Sequence, residues 1–90
     1  SEGLRSQIGG LKVAVRNTQD GVSVVQTAEG ALTETQAILQ RMRDLAVQAA
    51  NGSNDANSLS ALQAENDALA LELTRISDKT TFNNVALLDG

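Results

Sequence analysis

One apolar stripe constrains this chain more than any other feature. Leu4, Ile8, Leu11, Val15, Thr18, Val22 and Val25 follow one another at alternating steps of four and three, and Ala28, Leu32, Thr35, Leu39, Met42, Ala46 and Ala49 carry the pattern on. Such steps place side chains along one side of an α-helix or on the seam of a coiled coil. The only irregularity is Val22, Val25, Ala28, two threes in succession, a stammer that overwinds the coil locally.

A local signal argues against this reading. In "RNTQDGVSVVQTAEGAL", residues 16–32, the pair Asp20-Gly21 is a strong hairpin turn signal, with β-branched residues on either side of it. A hairpin there would fold the two halves of the stripe back on each other and waste their near-common register. A glycine inside a helix costs only about 0.5–1 kcal/mol relative to alanine, which a long packed stripe can absorb. The pattern favours a continuous helix over a hairpin without excluding the latter.

The first clear stop is "NGSNDANS", residues 51–58. Asn51-Gly52 suits a helix end that wants a left-handed residue, and Asn54, Asp55, Asn57 and Ser58 are all competent N-caps. A second stripe follows: Leu59, Leu62, Asn66, Leu69, Leu73 and Ile76. The last stretch, "TTFNNVALLDG", has Thr-rich extended character, an Asn-Asn turn and an apolar run that could begin a strand. The expected fold is all-α, a rod-like antiparallel helical hairpin. It has a helix of ~48 residues over about 2–50, a loop at 51–57, a helix of ~22 residues over about 57–78, and an extended tail at 79–90 starting a β-hairpin. The first helix would be on the order of 75 Å long. Its shorter partner cannot cover the stripe, so residues 4 to about 30 need another helix from elsewhere. The residues expected to pack are Leu32, Leu39, Met42, Ala46, Leu62, Leu73 and Ile76.

Composition supports helices that pack side by side over a self-contained core. The chain has 90 residues, of which 41% are hydrophobic, yet Phe82 is its one aromatic and it contains no Cys, Pro or His. Small domains usually lean on aromatics, disulfides or a metal, and the usual metal ligands are missing. Net charge is −4 with scattered bases, which gives no footprint for nucleic acid. No apolar run approaches membrane-spanning length, and Ser1-Glu2-Gly3 does not look like a signal peptide. Carboxylates are plentiful, but on helix faces they read as solvated charges. Without a histidine, a Ser-His-Asp arrangement is unavailable, and "IGGL" and "EGAL" lack the Lys-Ser/Thr of a phosphate loop. No catalytic, cofactor or metal residues are expected, and the chain does not read as an enzyme.

"RNTQDGVSVVQTAEGAL", "LQRMRDLAVQAANG", "LQAEN", "LTRIS" and "TTFNNVALLDG", in this order, resemble the N-terminal conserved region of bacterial flagellin across essentially all 90 residues. The resemblance implies residues 1–90 are the N-terminal part of the rod-like D1 domain, with Asp20-Gly21 inside the long helix. Two positions depart from the family pattern. Asn84 stands where Phe-Asn-Gly is usual, and Asn66 where an aliphatic residue is usual. The implied function is a structural subunit of the flagellar filament that self-assembles for motility, extracellular and exported by the flagellar apparatus without a cleaved signal peptide. The implied partners are a C-terminal helix of the same flagellin, neighbouring subunits and an export chaperone, with no nucleic acid and no membrane. The resemblance also implies recognition of the monomer by Toll-like receptor 5 of innate immunity, through Arg41, Leu45 and Glu65; Gln40, Gln48, Leu69 and Asn51 to Ser53 are expected at the periphery of that site. Arg41 and Leu45 are one turn apart, offset from the Leu39, Met42, Ala46 stripe, so Leu45 is expected to be partly exposed. The bland alternative is an Arg41–Glu65 surface ion pair beside a rim leucine. On pattern alone, a coiled-coil adaptor or a secretion-system structural protein without a filament role competes with the filament subunit.

Overall fold

A computed structural model describes residues 1–89. Two helices, α1 (Glu2–Ala50) and α2 (Ala56–Asp89), form an antiparallel hairpin about a turn at 51–55. The protein is an all-α rod, 80 × 17 × 9 Å, with a Cα radius of gyration of 22.2 Å. A compact domain of this length would have a radius of about 12 Å. α1 passes through Asp20-Gly21 unbroken, and no described residue has a positive φ. The hairpin-turn signal is therefore overridden by the packing stripe in which it sits.

The α1–α2 seam has a definite register. On α1 the positions at least partly buried include Val24, Thr27, Ala28, Ala31, Thr35, Ile38, Met42 and Leu45; on α2 they include Leu62, Asn66, Leu69, Leu73, Ile76, Thr80, Asn83, Asn84 and Leu87. Among the described residues only Leu45 (2% exposed) and Ile76 (5%) are fully buried. Of the residues expected to pack, Ile76 is buried, and Met42, Leu62 and Leu73 are half-buried. Leu32, Leu39 and Ala46 are exposed; they line the flank of the seam. The expected stripe sits beside the real one because α2 settles against the Ala31, Ile38, Leu45 row.

α2 differs from expectation in length. The extended tail expected at 79–90 is helical over residues 79–89, which makes α2 34 residues long; Gly90 lies outside the described residues. The reason is tertiary. Thr80, Asn83, Asn84 and Leu87 recur at helical spacing and turn half-buried toward α1. Thr81 Oγ1 satisfies itself within the helix by donating to the Ser77 carbonyl at 2.9 Å, as Thr18, Thr27, Thr33 and Thr74 do one turn back. Residues 1–19 of α1 are all exposed and lie beyond the last described residue of α2. They overhang by roughly 28 Å.

The turn closes without a left-handed glycine. Asn51 leaves α1 in extended backbone (φ −71°, ψ 130°), which corrects the expectation of an Asn51-Gly52 left-handed cap. Side chains do the capping instead. Asn54 Nδ2 donates to the carbonyls of Gln48 and Asn51, while the Ser53 N–H and hydroxyl both donate to Asn51 Oδ1 at 3.1 and 3.0 Å. Asp55 caps α2, its Oδ1 accepting from the Ser58 N–H at 2.7 Å. That bond holds the Asp55 carboxyl below its ordinary pKa.

Two tests follow from this geometry. A Cβ on Gly21 would meet nothing within 4 Å, so Gly21→Ala should stabilise the full-length protein by about 0.5–1 kcal/mol; a lower melting temperature would point to an unseen neighbour at that position. Asp55 has a folded pKa below its unfolded value, so its cap contributes above the unfolded pKa and is lost as pH falls through the folded one. Helicity by circular dichroism should therefore fall less between pH 5 and pH 2 in Asp55→Asn, whose amide oxygen caps at any pH, than in the wild type.

Candidate functional site

The hairpin has two unlike long faces. On one, Leu32, Leu39 and Ala46, seven residues apart, run beside α2. Leu32 borders an apolar hollow with Ala28, Thr35, Leu73 and Thr81, and nearer the turn Ala46 borders a second with Ala49, Leu59, Leu62 and Asn66; Leu39 is exposed between these two stretches of groove. Along the overhang, Leu4, Ile8, Leu11 and Val15 continue the apolar exposure. The groove holds no convergent charges, and no cluster of His, Cys, Asp or Glu among the described residues is placed to hold a metal. It offers what a third helix needs, a strip of aliphatic side chains between two helix ridges.

The other face is polar. Glu34 and Arg41, seven apart on α1, share a side with Gln26, Gly30 and Gln48; Glu65, Glu72 and Lys79, also seven apart, answer them from α2. Arg41 Nε donates to Glu65 Oε1 at 2.8 Å, with both side chains about half exposed (50% and 43%). This bond and the carboxylate charge beside it raise the Arg41 pKa, so the guanidinium stays charged. Two of its donor groups remain free for another partner. Arg75 Nε similarly donates to Glu72 Oε2 at 2.9 Å on α2, which lowers the Glu72 pKa and raises that of Arg75.

The residues singled out from sequence fall in three places. Arg41 and Glu65 meet across the seam. Gln40 and Gln48 are exposed and Leu69 is half-buried against α1. Leu45, expected to be partly exposed, is the most buried residue in the hairpin. It lies one turn from Arg41 but is rotated into the seam, where Leu62 and Ile76 belong to the same buried row. Asn66, the polar member of the α2 stripe, borders the groove near Leu62.

A family model described as the bacterial flagellin N-terminal helical region matches residues 1–90. The chain belongs to the bacterial flagellin family. It is 59% identical to the B-type flagellin of Pseudomonas aeruginosa over 90 residues, covering 100% of this chain and 18% of that protein. To the flagellin of Bacillus subtilis it is 56% identical over 92 residues, with 100% of this chain and 30% of that one covered. To flagellin B of Vibrio anguillarum it is 54% identical over 90 residues, covering 100% of this chain and 24% of that one. The chain thus spans less than a third of the length of these flagellins. No solved structure matches it.

The burial of Leu45 separates packing from surface in this flagellin segment. Leu45→Ala should destabilise the full-length protein by about 2–5 kcal/mol, whereas Arg41→Ala removes only an exposed pair and should leave the melting temperature nearly unchanged. Equal melting temperatures for the two variants would remove Leu45 from the core.

Proposed function

We propose that this chain is the N-terminal rod segment of a structural subunit that assembles into the extracellular flagellar filament and serves motility. The observation that carries the reading is the match to the flagellin N-terminal region over residues 1–90. The open apolar face supports it, because a rod that leaves a row of aliphatic side chains uncovered is suited to completion by other helices. The first to cover it is a C-terminal helix of the same flagellin, seated over Leu32, Leu39 and Ala46; neighbouring subunits take what is left. A flagellar export chaperone would shield such a surface before export. An adaptor with no filament role would not need the groove covered by its own chain. Monomers of the full-length protein should polymerise into filaments visible by electron microscopy, and Leu32→Asp/Leu39→Asp should abolish that. Filaments formed as readily by the double variant would refute the groove as the assembly surface.

A second reading has its own observation. The half-exposed Arg41–Glu65 pair lies on the polar face, away from the groove, so a partner could reach it while the C-terminal helix is docked. We infer that Toll-like receptor 5 binds the monomer there, with Arg41 as the anchor, Glu65 as its orienting partner and Gln40, Gln48 and Leu69 around them. Leu45 acts from beneath, holding the α1 backbone against α2. Interface anchors of this type typically cost 2 kcal/mol or more when truncated. Arg41→Ala in the full monomer should therefore weaken binding to the receptor ectodomain about tenfold or more, and unchanged binding would return the pair to a surface ornament.

A further inference from the structure

The turn between the helices holds the segment's one Asn-Gly pair, Asn51-Gly52, and the fold does not require a glycine there. A Cβ on Gly52 would meet nothing within 4 Å, and no described glycine has a positive φ. Asn51, Gly52 and Ser53 are all exposed. Asn51 Oδ1 accepts from the Ser53 N–H at 3.1 Å and from the Ser53 hydroxyl at 3.0 Å, which folds the carboxamide forward over the Gly52 peptide. The Gly52 N–H itself has no acceptor among the described residues.

An asparagine followed by glycine is poorly protected against its own backbone, because no Cβ crowds ring closure. We propose that Asn51 is a site of spontaneous deamidation in the folded protein. The Gly52 nitrogen gives up its proton to solvent base and bonds to Asn51 Cγ. The Cγ–Nδ2 bond breaks, the departing nitrogen takes up a proton and leaves as ammonia, and a five-membered succinimide remains. Water then opens the ring at either carbonyl, giving an aspartyl or an isoaspartyl residue at position 51. Overall one water is consumed and one ammonia released, with no oxidant or other co-reactant. The two Ser53 donors favour the attack. The Oδ1 they bind becomes the oxyanion of the tetrahedral intermediate, and hydrogen bonds to a charged oxygen are stronger than to a neutral one.

The fold protects the alternatives. Asp20-Gly21, whose carboxyl could close the same ring with loss of water, lies inside α1, where the Gly21 N–H is held in the helix ladder. Asn57 is followed by Ser58, whose N–H is already bonded to Asp55 Oδ1. Asn54 shares the turn, but its Nδ2 is tied to the carbonyls of Gln48 and Asn51, and the side chain of Asp55 crowds the attack. Conversion at Asn51 has a structural consequence. The last turn of α1 holds no basic residue, so a new carboxylate there meets the negative end of the helix dipole uncompensated. An isoaspartyl link also runs the backbone through Cβ and Cγ, one atom longer, which changes the spacing that Asn54 bridges. Both products weaken the cap that closes the hairpin. The inference stands apart from the filament reading.

Incubation of the full-length folded protein at neutral and mildly alkaline pH tests it, with peptide mass spectrometry as the readout. Asn51 should show the mass of an amide-to-acid change at least tenfold sooner than Asn54 or Asn57, in two chromatographically separate products, and faster as pH rises. Gly52→Ala, with helicity unchanged, should slow that change at least tenfold. Asp20 should isomerise at least tenfold more slowly in the folded protein than in urea. Deamidation at Asn51 no faster than at Asn54 or Asn57, or equally fast in the Gly52→Ala protein, overturns the proposal. Equal rates for Asp20 in the folded protein and in urea overturn it too, because the fold would then not be choosing the site.

Discussion

Two helices that touch along one line can bury only one stripe of each, and the rest of this structure follows from that limit. The seam around Leu45 and Ile76 is the whole interior. Everything apolar that it does not reach is left in water. The accessible surface is 6898 Å², where a compact 9.4 kDa protein would expose about 5,000 Å². An excess of nearly 2,000 Å² exceeds the ~800 Å² that one side of a standard interface covers. A single contact of standard size would not cover all of it.

The seam also sorts the surface. Because α2 settles on the Ala31, Ile38, Leu45 row, the aliphatic Leu32, Leu39, Ala46 row falls to one side and the charged Glu34, Arg41, Gln48 row to the other. A one-position rotation of α1 would bury Leu39 and expose Leu45, and would carry Arg41 away from Glu65. The interhelical ion pair contributes little to stability, as exposed pairs do, but it reports that the rotation is set. Packing at the seam therefore decides which face is aliphatic and which is polar.

How much of this was legible depended on how far each signal reached. Helix identity over Leu4 to Ala49 was legible because the stripe repeats across the whole of α1 and outvotes a single Asp-Gly pair. The exact seam was not, because Leu39 and Ile38 are both large aliphatics one position apart, and sequence spacing cannot say which of two adjacent stripes α2 will choose. That ambiguity put Leu45 on the surface when it belongs inside. That Arg41 meets Glu65 follows from counting outward from the turn, about ten residues on either side, which needs only the hairpin and no side-chain detail. The tail failed for the opposite reason: Thr, Asn and Val preferences were read locally, while Thr80, Asn83 and Leu87 were held helical by contact with α1. That outcome has a cost, since Asn84 Oδ1 is buried with no hydrogen-bond partner.

The geometry of the uncovered stripe limits what can cover it. A strict seven-residue repeat drifts by about 20° per heptad on a straight helix. From Leu4 to Ala46 is six heptads, so the apolar line turns by about 120° around α1, a span that already includes the stammer at Val22–Val25–Ala28. At the turn end it lies against the flank of α2; at the overhang it points well away from α2's line. A straight helix laid along the groove would follow the stripe over Leu32, Leu39 and Ala46 and then part from it near Val15. A covering helix must either supercoil left-handedly with the stripe or leave the overhang uncovered.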